Sequence, residues 1–234
     1  MSVYRRPWNA FPALWLHAEE NAVKNHPDYQ AAKSGNPASA LELVRSMISD
    51  HCLDDLSRSL SDLSPILVSA HAVESHGVNA IPQAMAGYLG SMLSWTVESS
   101  IVQTNVVGHT GANGFSRLAR QAEFDGMVSH DASYVLVDDF VGQGGTLANL
   151  RGFLLNYGAR VVGGTVLTGK SYSAILSCDE QQIVQLREKH GSGLESWWNE
   201  RFGFDYGCLT RSEARYLLNT PTSQRIRNRI TEAI

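Results

Sequence analysis

The pattern of apolar and polar positions divides this chain into three stretches. Over the first sixty or so residues, apolar side chains recur at three- and four-residue spacing across 10–24, 37–50 and 53–63, which predicts three helices. The breakers Asn25-His26-Pro27 and Ser34-Gly35-Asn36-Pro37 separate them. After Ser64-Pro65 the period is lost, and Ile66-Leu67-Val68-Ser69-Ala70 is almost wholly apolar, as a strand buried on both faces of a parallel sheet must be. A helix is predicted from about Val78 to Leu89, stopped by Gly90, and a further strand over 101–107. From Gly108 to His130 the chain is rich in Gly, Arg, Gln and Asn without a steady period; a segment that long is usually either functional or disordered.

The clearest unit follows. A strand over 133–137, a glycine turn, a helix over 145–157, Gly158 as its stop and a strand over 160–167 make a βαβ unit. Such a unit implies two parallel strands joined by a right-handed crossover. Beyond Ser171 helical spacing returns over 179–189, 194–202, 210–219 and 223–234. The expected class is therefore α/β: a parallel-sheet core over 64–171 with helices on both faces, flanked by helical segments at 1–63 and 172–234.

Composition narrows the picture. With 43% apolar and 18% charged residues, 234 residues suffice for a sizeable core. A formal net charge of −4 argues against a dedicated nucleic-acid protein, whose affinity comes from neutralising phosphates. Cys52, Cys178 and Cys208 are odd in number and show no metal-ligand spacing, which fits reduced thiols. The N-terminus, MSVYRRPWNAFPALW, has no sustained apolar stretch, so a soluble cytoplasmic protein is expected.

Chemistry concentrates in Val137-Asp138-Asp139-Phe140-Val141-Gly142-Gln143-Gly144-Gly145-Thr146. Two carboxylates stand at the C-terminal end of a predicted strand, where open parallel sheets place their ligands. Glycines at the start of the next helix let backbone N–H groups curl into an anion-binding nest, favoured by the helix dipole. Acids beside such a nest would repel a phosphate that touched them. They serve better as acceptors for sugar hydroxyls one ribose-length away.

The segment VLVDDFVGQGGTL resembles the phosphoribosyl pyrophosphate (PRPP) motif of type I phosphoribosyltransferases, over about thirteen residues. The resemblance implies a sheet of that family's type, with the helical terminal segments forming a hood. It implies that Asp138 and Asp139 hold the ribose hydroxyls and that Gly142, Gln143, Gly144, Gly145 and Thr146 wrap the 5-phosphate. Gln143 stands where the family commonly has threonine. A second loop, Ala70, His71 and Ala72, would meet the pyrophosphate, with Glu74 near a metal-bound water. The stretch 108–126 would be a closing loop whose Arg117 and Arg120, facing the same way on a helical turn, clamp the pyrophosphate. Mg²⁺ would be held mainly by PRPP and water, with Asp138 and Asp139 as the available carboxylates. The activity so implied moves ribose 5-phosphate from PRPP to a nitrogenous base, within a homodimer. The alternative is a non-catalytic PRPP-binding sensor or regulatory partner.

Gly164-Thr165-Val166-Leu167-Thr168-Gly169-Lys170-Ser171 formally satisfies the P-loop pattern of ATP-binding proteins. It is rejected because Thr165-Val166-Leu167-Thr168 reads as the strand itself rather than a curled loop. Trp197 and Trp198 are more simply core than base pocket. Arg225, Arg227 and Arg229 read as a solvated helix face.

Overall fold

The computed structural model describes residues 3–71, 73–74, 77–105 and 113–233. In chain order, strand β1 is Trp15–Ala18, followed by helices α1 (Glu20–Lys24), α2 (Tyr29–Lys33), α3 (Pro37–Met47) and α4 (Asp50–Leu60). Strands β2 (Ile66–Ser69), β3 (Val73–Glu74) and β4 (Gly77–Val78) precede α5 (Ile81–Leu93). Then come β5 (Thr96–Glu98), β6 (Val102–Gln103), α6 (Gly114–Ala119) and β7 (Phe124–Asp125). The βαβ unit is β8 (Ser133–Val141), α7 (Gly145–Asn156) and β9 (Arg160–Gly169). Helices α8 (Glu180–His190), α9 (Ser192–Phe202), α10 (Arg211–Leu218) and α11 (Ser223–Glu232) complete the chain.

The expected α/β class holds. One sheet of order β1-β9-β8-β2-β5 is parallel throughout. Successive side chains of a strand point to opposite faces, and β8 shows the consequence. Tyr134 and Leu136 join a core with Leu147, Leu150, Phe153 and Leu154 of α7. Val135 and Val137 join the opposite core with Leu43, Leu56, Met85 and Leu89 of α3, α4 and α5. Burial on both sides explains why β8 reads as a continuous apolar run. The C-terminal helices form a third core around Trp198, Phe204, Tyr206, Leu217 and Ile226, to which Phe115 and Leu118 of α6 contribute.

Three expectations need correction. The helix predicted over 10–24 is helical only over Glu20–Lys24; Trp15–Ala18 is strand, with Trp15, Leu16 and Ala18 paired with Thr165, Val166 and Thr168. Cross-strand ties outweigh the local helical spacing here. Thr168 Oγ1 donates to the Ala18 carbonyl at 2.7 Å, and His17 Nε2 lies 2.9 Å from Thr165 Oγ1. The strand expected over 101–107 contributes only Val102–Gln103, paired antiparallel with β7 outside the main sheet; residues 106–107 lie outside the described ones. The sheet edge is instead β5, which starts after the left-handed Ser94 (φ 57°) and the half-turn that it permits. Finally, β8 runs four residues beyond Val137, so that Asp138 pairs with Val166 and Phe140 with Thr168. Both acids are therefore strand residues rather than turn residues.

Candidate functional site

The C-terminal edge of the sheet opens into a cleft of about 340 Å³, within the size range of small-molecule sites. Strand alternation sends the two acids to different faces. Asp138 follows Leu136 towards α7, while Asp139 follows Val137 towards the N-terminal helices, where Lys33 Nζ lies 2.7 Å from its Oδ2. Both are buried, at 9% and 8% exposure. Burial, and then the neighbouring charge of Asp139, push the Asp138 carboxyl well above the usual carboxylate range. The Asp139 N–H donates to Asp138 Oδ1 at 2.8 Å, a contact that pulls in the opposite direction without winning.

The glycine turn follows directly. Gly144 is the N-cap of α7 with φ 78°, a left-handed conformation that glycine adopts without strain. A methyl group there would also come within 2.5 Å of Leu176 Cδ2. The turn is braced from behind: Thr210 Oγ1 donates to the Gln143 carbonyl at 2.5 Å, and Arg5 Nη2 to the Gly145 carbonyl at 3.5 Å. With carbonyls tied back, the first residues of α7 line the cleft, where their amides lack intrahelical partners and the helix dipole adds positive potential.

Arg5 is itself held by a buried polar network. It makes a two-pronged pair with Glu213 at 2.6 and 2.9 Å, and it donates to Asn149 Oδ1 at 2.6 Å and to Gln121 Oε1 at 3.0 Å. Glu213 and Thr210 close a capping box at the start of α10. One network thus joins the N-terminal arm, α7, the 121–122 segment and α10 behind the turn.

The expected residues Ala70, Arg117, Arg120, Asp138, Asp139, Gly142, Gln143, Gly144, Gly145 and Thr146 all line this one cleft. His71 does not; its Nδ1 turns to Ser69 Oγ at 3.0 Å, and burial lowers its pKa. Ala72 and His76 lie outside the described residues, as does the side chain of Glu74. The expected closing loop is helical over Gly114–Ala119, and Arg120 caps that helix with non-helical backbone (φ −101°, ψ 95°). Both arginines line the cleft but make different contacts. Arg117 lies against Gly142, whereas Arg120 Nε donates to the Ala233 carbonyl at 3.2 Å. The Lys170-bearing P-loop pattern is strand through Gly169, and Lys170 pairs with Glu20 outside the cleft lining. Trp198 is wholly buried in the third core, away from the cleft.

Sequence reasoning did not find Lys24, Tyr29, Lys33 or Glu213, which also line the cleft. The Thr210-x-x-Glu213 spacing signals a capping box. Its contact with a turn nearly seventy residues earlier has no local signature. Among the described residues no group of three or more His, Cys, Asp or Glu side chains can hold a metal ion, and no helix is long and apolar enough to cross a membrane.

Fold and site together define an α/β protein in which an acid pair and a glycine turn at a helix N-terminus share one cleft. Comparison with known proteins adds sequence relatives. The chain is similar to protein TraN of Escherichia coli, 38% identical over 229 residues, which cover 98% of this chain and 51% of TraN. It is also similar to an uncharacterised protein of Haemophilus influenzae, 35% identical over 152 residues, covering 64% of this chain and 34% of that one. The chain thus spans about half of TraN and about a third of the Haemophilus protein. No family model matches. Among solved structures it is similar to an adenine phosphoribosyltransferase (12% identity, TM-score 0.38, covering 58% of this chain and 73% of that one). A purine phosphoribosyltransferase of Pyrococcus horikoshii shows 15% identity and a TM-score of 0.35, covering 54% of this chain and 77% of that one.

Proposed function

We propose that the cleft binds PRPP and that the protein transfers ribose 5-phosphate to a nitrogenous base with release of pyrophosphate. The observation that carries this reading is the junction of β8 and α7: adjacent buried carboxylates and a braced glycine nest opening on the same cleft. In this reading Asp138 and Asp139 accept the ribose hydroxyls and the amides of Gly142, Gln143, Gly144, Gly145 and Thr146 hold the 5-phosphate.

In this reading a sugar hydroxyl shares the Asp139 carboxylate with Lys33, whose Nζ lies 2.7 Å from Oδ2. Asp138, whose pKa is raised by burial and by the neighbouring Asp139, offers its carboxyl oxygens to the second sugar hydroxyl. Catalysis at C1 then needs no protein nucleophile. It rests on holding the ribose while the base attacks and pyrophosphate departs, and on cationic groups facing the charge that builds up. The available carboxylates, one of them paired with Lys33, suit a Mg²⁺ ion that enters with the diphosphate and keeps most of its water. Bound so, it would neutralise the leaving group. A homodimer in the cytoplasm belongs to the same reading.

Gln143 favours a second reading, a PRPP sensor without turnover, because an amide replaces a hydroxyl in the phosphate loop. Pyrophosphate release across a panel of purine and pyrimidine bases separates the two: release with any base supports the enzyme, and PRPP binding with no release supports the sensor. The double variant Asp138→Asn/Asp139→Asn should retain its fold and lose PRPP. Unchanged affinity would remove the acids from the site.

A further inference from the structure

Arg117 carries a more specific assignment, which rests on the PRPP reading above. Its guanidinium lies over the glycine turn: a methyl group built on Gly142 would come within 3.0 Å of Arg117 Nη1. The side chain comes from α6, which packs through Phe115 and Leu118 into the third core and so fixes the base of the arginine. Its Nε is enclosed, yet has no hydrogen-bond partner among the described residues. No carboxylate pairs with it among the described residues, so its charge is open to an anion in the cleft that it lines. A buried donor without an acceptor is unfavourable, so the guanidinium is not satisfied by the protein alone. Gln143 Oε1, in the same turn, is likewise enclosed and unpartnered.

We propose that Arg117 is a ligand of the 5-phosphate rather than of the pyrophosphate, and that it supplies the side-chain donor that a hydroxyl would provide if Gln143 were threonine. The turn then offers two kinds of donor to one anion: neutral backbone amides at the start of α7, and a positive charge from α6 able to donate through Nη1. An anion with two or three terminal oxygens, such as a phosphate monoester, matches that arrangement. The position sets the distinction. Gly142 begins the nest side of the cleft, and Arg120, tied to the Ala233 carbonyl, is the arginine left for other parts of the ligand.

The test is calorimetric binding of two probes, ribose 5-phosphate and Mg²⁺–pyrophosphate, to the wild-type protein and to Arg117→Ala, Arg117→Lys and Arg120→Ala, with thermal melts confirming the fold of each. Arg117→Ala should weaken ribose 5-phosphate about ten- to hundredfold, the usual value of a charge-assisted contact. It should leave Mg²⁺–pyrophosphate within about twofold, and Arg117→Lys should fall between. Two outcomes overturn the assignment while leaving the PRPP reading standing: undiminished ribose 5-phosphate binding by Arg117→Ala, or a loss confined to pyrophosphate. A wild-type protein that binds neither ribose 5-phosphate nor PRPP overturns both. Should Arg117→Ala fail to fold, Arg117→Lys decides by the same comparison, since it keeps the charge and loses only the planar fork.

Discussion

Truncating Glu213 tests how the glycine turn is supported. Glu213→Ala removes both oxygens that hold Arg5 at 2.6 and 2.9 Å, in a pair whose side chains are only 1% and 2% exposed. It also removes the acceptor for the Thr210 N–H at 2.8 Å and so one half of the capping box. A charge left buried after loss of its partner costs about 3–5 kcal/mol. For a domain of this size, where each kcal/mol shifts Tm by about 2–4 °C, the expected fall is about 6–20 °C. The assay is calorimetric or circular-dichroism melting at neutral pH. The double replacement Arg5→Met/Glu213→Leu should recover much of the loss, because an apolar pair of similar volume carries no desolvation cost. A melt of Glu213→Ala within about 2 °C of wild type would refute the reasoning, as would a double variant no more stable than the single one.

Other consequences follow from burial and backbone. Asp138 has a folded pKa above its unfolded one, so the folded state holds the extra proton; wild-type stability should fall as pH rises from the ordinary carboxylate range towards that raised value. Asp138→Asn should flatten this fall and raise Tm at neutral pH, and an unchanged pH profile of urea midpoints would count against it. His17 behaves in the opposite sense: burial lowers its pKa from 6.5 to about 4, and the Ser49 N–H donates to its Nδ1. The neutral ring therefore stabilises the fold above pH about 6.5, and on the order of 3 kcal/mol is lost as pH falls through about 4. His17→Gln should be less acid-sensitive than wild type between those limits, and equal sensitivity would show that other groups dominate. Gly144→Ala forces a side chain into φ 78° and towards Leu176 Cδ2, which should cost more than about 1 kcal/mol and weaken ribose 5-phosphate. Unaltered stability by chemical denaturation would contradict the braced geometry of the turn.

Legibility followed sequence separation. The βαβ unit was readable because its signals are local: an apolar run, glycines, then a helical period over Leu147, Leu150 and Leu154. The adjacent acids and glycines fell into one cleft as expected, since they are consecutive on β8 and at the start of α7. Strand β1 is not readable, because Trp15, Leu16 and the residues around them fit a helix locally, and only pairing with β9 across 150 residues makes Trp15–Ala18 a strand. Lys33 and Glu213 escape a reading of the sequence for the same reason: each reaches the site from a helix distant in sequence, and even the capping-box spacing of Thr210 and Glu213 does not reveal the contact with the turn. Arg117 and Arg120 both line the cleft, but their spacing of three does not reveal that one lies against Gly142 while the other is tied to the Ala233 carbonyl.

The central claim is tested most directly by calorimetric titration of the wild-type protein with PRPP, with and without Mg²⁺. Saturable binding that strengthens with Mg²⁺, and is lost in Asp138→Asn/Asp139→Asn, is the predicted result. Absence of binding in both conditions by a protein that melts cooperatively would contradict it, and would leave the glycine turn as a structural feature of the sheet edge.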